Sequence, residues 1–184
     1  MKRFLLISAL LLSAVSYSSA QDRYFTRSGR VDFISDAPLE KIPSSNTQGT
    51  SVFDSKSGQF EFAVLMKAFE FEKALMQEHF NENYAESDKF PKAGFKGVIT
   101  NIGSINLQKD GVYPVTIKGK FSLHGVSNDV TIPGSIEIKG GKITGKSNFE
   151  ININDYGIQI PSLVHDKISK IVKITVEDIY QKMP

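Results

Sequence analysis

Three histidines, two serines close to one of them and no cysteine set the limits of the chemistry available to this chain of 184 residues. Imidazole is a good zinc ligand, so His79, His124 and His165 could form a three-histidine site if folding gathered them. The spacing argues against it: no HExxH or HxH pattern puts two of them on one face, and each sits in a different kind of segment. Ser122 and Ser127 flank His124, a pairing that in a hydrolase would supply nucleophile and base, yet no GxSxG turn presents either serine. Thiolate nucleophiles and thiolate metal sites need cysteine and are excluded. The chain is therefore read as a non-enzyme, with no catalytic residue and no metal site. What remains is the stretch MQEHF, Met76 to Phe80, where His79 stands beside a glutamate among apolar residues. Its role depends on the elements that position it.

At the N-terminus, MKRFLLISALLLSAVSYSSA has Lys2 and Arg3, a largely apolar run from Phe4 to Val15, and Ser18 and Ala20 in small-x-small order. The run is too short for a spanning helix, which needs roughly 20 apolar residues. The segment reads as a signal peptide cleaved after Ala20, so residues 21–184 are expected as a single exported domain, periplasmic or secreted, with no integral membrane segment. Losing Lys2 and Arg3 from 22 basic residues leaves them balanced against 20 acidic ones. That balance, with no basic block interleaved with aromatics, points away from nucleic acid as a partner. A homodimer is compatible with the sequence, and a small hydrophobic or amphiphilic ligand is the expected partner.

The rest is dominated by alternation of apolar and polar residues, the mark of strands with one dry face. Tyr113, Val115, Ile117, Gly119, Phe121 and Leu123 form one such face; Val130, Ile132, Gly134, Ile136 and Ile138 form the next; Ile143, Gly145, Ser147, Phe149, Ile151 and Ile153 form a third. The short, turn-rich connections HGVSND and KGGK make these antiparallel hairpins. GQFEFAVLMKAF and ISKIVKITVEDI alternate in the same way, and RYFTRSGRVDFIS, TQGTSVFDS and AGFKGVITNI do so more weakly. The segment Ala37 to Gly49, with Pro38, Pro43 and two serines, reads as a long loop. The fold class is therefore all-β: an eight-stranded antiparallel up-and-down barrel with one short helical insertion, which leaves no unpaired edge. A two-sheet sandwich satisfies the same alternation.

The helical insertion is read in FEFEKALMQEHFNENYAESDKFP, where Leu75, Met76, His79 and Phe80 share one face at three and four spacing and Pro91 ends the pattern. Such a helix would cover the mouth of a barrel. An eight-stranded barrel is just wide enough to be filled by side chains or to hold one small ligand. Gly97, Gly119, Gly134 and Gly145 interrupt the dry faces. They either relieve crowding where strands bend or leave a tube lined by Phe60, Phe62, Met66, Phe95, Ile99, Phe121, Leu123, Ile136, Phe149 and Ile151. Leu75, His79, Phe80 and His124 are the lid or head-group positions. His79 either caps a polar end of the cavity or simply packs; His124 either sits in a turn satisfied by backbone or meets a head group.

Three segments carry a resemblance to the YceI-like proteins. Gly119 to Gly134, GKFSLHGVSNDVTIPG, is similar to the family's G-x-L-T-x-H-G-V-T hairpin through Phe121, Ser122, His124, Gly125, Val126 and Ser127. FEININDYGI resembles the family's strand ending in aspartate, an aromatic and glycine, here Asp155, Tyr156 and Gly157. MQEHF followed by ESDKFPKAGF is similar to the R-D-x-H-L segment and the Y-P-x-x-x-F strand through His79, Phe90, Pro91 and Phe95, with Met76 and Gln77 where the family usually has arginine and aspartate. The resemblance implies an exported, bacterial, lipocalin-like barrel that binds a polyisoprenoid or related amphiphilic lipid as an envelope carrier or store. It implies no cofactor beyond a bound isoprenoid or fatty-acid-like lipid. A ligand-free structural envelope barrel and a histidine-metal enzyme are the competing readings. Intact-mass analysis from a native host is expected to find a chain beginning at Gln21, and a retained segment 1–20 would contradict export.

Overall fold

The computed structural model describes residues 22–184, so the expected signal peptide lies outside the described residues. The described residues form nine strands: β1 (Arg23–Asp36), β2 (Lys41–Asp54), β3 (Gln59–Leu65), β4 (Glu70–Phe71), β5 (Lys92–Ile99), β6 (Gly111–Leu123), β7 (Val126–Lys139), β8 (Lys142–Asn152) and β9 (Ile171–Lys182). Among the described residues a single short α-helix, α1 (Ala74–His79), runs into a wider helical turn over Phe80–Tyr84, where Ala85 N–H reaches back to Phe80 O. Eight of the strands pair antiparallel in chain order, and β1 bonds both β9 and β2. That double pairing closes the sheet, so the structure is a barrel and the sandwich is set aside. The two-residue strand β4 is an extra, bonded to β2 beside the helical insertion. Residues 66–91 leave the meander between β3 and β5, which still pair as neighbours. Among the described residues no helix is long and apolar enough to cross a membrane.

The segment Ala37 to Gly49 is not the long loop that its composition suggests, because β2 already begins at Lys41. Its dry face is polar. Ser44 donates to Glu70 O at 2.8 Å and Asn46 donates to Leu65 O at 3.0 Å, so buried side chains bond the base of the insertion instead of packing. Pro43 is tolerated at an exposed position opposite Ile34.

The glycines do not make the tube that their spacing suggests. Gly97 and Gly119 lie directly opposite one another, and a Cβ on either would strike the backbone carbonyl of Lys118 or Lys96. A Cβ on Gly145 would sit 2.8 Å from Tyr180 Cε2, and one on Gly134 would sit 2.9 Å from Lys146 O. These positions let strands approach closely and admit the Tyr180 ring. Gly97 and Gly119 lie level with the cavity-lining Phe60, Ile117 and Phe121, whereas Gly145 belongs to an end of the barrel that is solid, filled by Ile99, Val115, Ile136, Ile138, Ile143 and Phe53, with Tyr180 edge-on to Phe53 at 4.8 Å between centroids.

Inside this solid end lies one carboxyl. Asp178 is 2% exposed, accepts from Tyr180 OH at 3.1 Å, and leaves its Oδ1 with no partner against the gap at Gly29. With its proton given to Asp178, Tyr180 accepts in turn from Ser51 at 2.7 Å. Burial pushes the Asp178 carboxyl up to about 6 from 3.8, against the lowering effect of its two hydroxyl neighbours. A raised carboxyl favours the protonated native state. The penalty is therefore absent below about pH 4, grows as the pH rises, and is complete above about pH 6, where it amounts to about 3 kcal/mol. Asp178→Asn is expected to gain stability relative to the wild type between pH 4 and 7.5 by an amount of that order, read from chemical denaturation at both values. A variant-to-wild-type difference that does not change with pH would contradict it.

Candidate functional site

The other end of the barrel encloses a cavity of about 550 Å³. That is within the range of sites for small organic ligands, roughly 300–1,000 Å³. The walls follow from the alternation of the strands: every second residue of β3, β6, β8 and β9 turns inward, which brings Phe60 and Phe62, Ile117 and Phe121, Phe149 and Ile151, and Val172, Ile174 and Val176 around one space. The two serines that face it spend their hydroxyls on backbone, Ser147 donating to Pro133 O at 2.6 Å and Ser35 accepting from Ser169 N–H at 2.9 Å. Tyr84 also faces inward, and burial pushes its phenol up.

The insertion roofs this space. Leu75, Met76, His79 and Phe80 all line the cavity from α1 and the turn that follows it. Phe80 stacks at 5.0–5.9 Å on Phe33, Phe69 and Phe71, an aromatic cluster that joins the roof to β1 and β4. Two of those rings come from the FEFE stretch ahead of the helix, a visible alternation whose position over the mouth could not be read without the pairing of β4 to β2. Phe33, Phe69, Phe71, Met76 and the β9 valines and isoleucine are lining residues beyond those expected.

Of the expected lining, Phe60, Phe62, Met66, Phe95, Phe121, Leu123, Phe149 and Ile151 surround the cavity. Ile99 and Ile136 do not: they are 2% and 3% exposed in the solid end and fill it. Leu75, His79 and Phe80 are on the roof, whereas His124 is away from the cavity. His124 occupies the β6–β7 turn with φ +52°, followed by Gly125 at +77°, the two left-handed residues of a tight hairpin. Its Nδ1 donates to Tyr156 O at 3.1 Å and its Nε2 meets Glu86 Oε2 at 2.6 Å, while Phe90 packs on its ring at 4.5 Å. The three segments with motif resemblance therefore meet at one clasp that ties the insertion to the barrel.

The histidines are dispersed. His79 is on the roof, His124 in the clasp, and His165 on an exposed loop beside Asp166 at 3.4 Å. Among the described residues no group of three or more histidine, cysteine, aspartate or glutamate side chains is placed to hold a metal ion. Ser122 and Ser127 bond each other at 2.6 Å, and both His124 nitrogens are engaged elsewhere, so these three side chains form no proton relay.

A barrel of this topology with a clasp built from those motifs has a counterpart among known families, and the YceI-like domain model matches residues 26–177. The chain belongs to the YceI-like family. Solved structures share the fold. A polyisoprenoid binding domain from Saccharophagus degradans superposes with a TM-score of 0.77 at 12% identity, covering 89% of this chain and 99% of its own. Burkholderia cenocepacia BcnA gives 0.69 at 15% identity, with 84% and 96% covered. A Campylobacter jejuni YceI protein gives 0.52 at 17%, with 76% and 85% covered. No curated protein matches.

In this YceI-like protein the clasp is structural. His124→Ala removes two hydrogen bonds and a ring contact, and is expected to cost about 2 kcal/mol, a fall of roughly 4–8 °C in Tm for a domain of this size. The cavity should still take up an apolar chain. An unchanged Tm, or lost uptake in a folded variant, would contradict this assignment.

Proposed function

We propose that this protein binds one long-chain amphiphile, of polyisoprenoid or fatty-acid type, in the open half of its barrel and serves as a carrier or store for it in the bacterial envelope. The observation that carries the reading is the cavity of about 550 Å³ whose walls are aliphatic and aromatic and whose inward serine hydroxyls are already bonded. Water gains little there, and an apolar tail gains much: each buried methylene contributes about 0.8 kcal/mol. Family membership supports the same class of ligand, since a structural relative is described as a polyisoprenoid binding domain. The N-terminal segment read as a signal peptide supports export as the location. A ligand-free structural barrel would have its solid half throughout, and only one half of this one is filled.

Mass spectrometry of the protein recovered under native conditions from its host is the test, followed by titration of delipidated protein with a series of straight-chain alcohols. A bound chain-bearing lipid is expected, and Kd should fall about three- to four-fold for each added methylene until the cavity is full. No bound lipid together with affinity that ignores chain length would overturn the proposal.

A further inference from the structure

A cavity that binds only through its walls would accept any tail and leave the head group unread. Its mouth, however, is charged, and the charge has a sign. Apart from the half-buried Tyr84 phenol, the ionisable side chains that line the cavity are Glu40, Lys73, His79 and Lys167. They come from three segments that meet at the rim: the β1–β2 turn, the start of the helical insertion, and the loop before β9. The segments are tied together there, since Leu39 N–H donates to Asp166 O at 3.0 Å and Lys73 Nζ stands 3.7 Å from Glu40 Oε1. Glu40 is thus answered by Lys73. Lys167 has no carboxylate within ion-pair distance among the described residues, and two lysines face one glutamate.

We propose that this mouth selects amphiphiles with an anionic head, a carboxylate or a phosphate, held between Lys167 and Lys73 with His79 beside it. The proposal rests on the reading that the open half holds an apolar chain. A tail filling the interior leaves its head where the wall changes from hydrocarbon to ammonium, and the head then meets a net positive rim. A neutral head gains nothing from Lys167, and a cationic head is repelled. Both lysines are exposed on long stems, so they can follow head groups of different size while their methylenes rest on the apolar rim. The roof position Met76 contributes an apolar contact to the same cavity, which leaves the two lysines as the sources of positive charge.

The test titrates the delipidated full chain with hexadecanoic acid, hexadecyl phosphate and hexadecanol at physiological salt, tails held equal. At least one of the two anions is expected to bind about ten-fold more tightly than the alcohol, a modest gain because the rim is wet. The tighter of the two tells a carboxylate source from a phosphate source. Lys73→Gln with Lys167→Gln should bring the anions down to the alcohol or below it, with a far smaller effect on the alcohol. Glu40→Gln, which removes the rim's lining carboxylate, should tighten the anions several-fold, and high salt should narrow the gap. Alcohol binding as tightly as both anions, or lysine variants that weaken all three alike, would overturn the head-group assignment while leaving chain binding in place. If none of the three binds, chain binding itself fails, and the assignment with it.

Discussion

Closure of the sheet between β1 and β2 is the constraint from which the rest follows. Once β1 bonds both β9 and β2, every second residue of eight strands is obliged to point into one interior. A ring of this size can be filled or can hold a ligand. In this chain the answer differs between its two ends. Where Gly145 faces the Tyr180 ring and Ile136, Ile138 and Ile143 pack with Phe53, the side chains close up. Where β8 and β9 present Phe149, Ile151, Val172, Ile174 and Val176 toward β3 and β6, the side chains stop short of one another and the space remains.

The open end is held open by its roof. The insertion is anchored at three places that do not depend on a ligand: Asn46 and Ser44 of β2 bond Leu65, where β3 runs into it, and Glu70 within it, the Phe33–Phe80 cluster packs its middle, and Glu86 with Phe90 fastens its end to His124. Two of the residues involved in the last anchor, Glu86 and His124, have left-handed backbone that non-glycine residues adopt at some cost. Their mutual bond, the Tyr156 carbonyl and the Phe90 ring offset that cost locally. A roof pinned in this way keeps the cavity formed before any chain enters, so less ordering is required on binding.

Much of this was legible in the sequence, for reasons that can be stated. A half-buried strand writes its dry face directly as alternation, so β6 to β9 and β3 could be read residue by residue, and the helical break at KALMQEHF stood out against them. The first half of β2 was hidden because its dry face carries Ser44 and Asn46, whose burial is explained by bonds to Glu70 O and Leu65 O that only folding creates, while its second half showed as the weak alternation of TQGTSVFDS. The glycines misled for a related reason: a missing side chain is visible in sequence, but whether a backbone, a ring or a ligand takes the space is not. Ile99 and Ile136 follow the same inward pattern as Phe121 and Phe149, and only their depth in the barrel separates packing from lining. His124 stood in one of the three motif segments, and its two ring nitrogens are spent on Tyr156 O and Glu86, where they hold the insertion.

The claim that one half of the barrel is solid and the other hollow can be tested by methyl NMR of the delipidated protein during titration with a long-chain alcohol. Isoleucine methyls are present in both halves. Ile117, Ile132, Ile151 and Ile174 line the cavity and should shift as the chain enters, while Ile99, Ile136, Ile138 and Ile143 should hold their positions. Shifts spread through both sets, or confined to the second, would contradict the account.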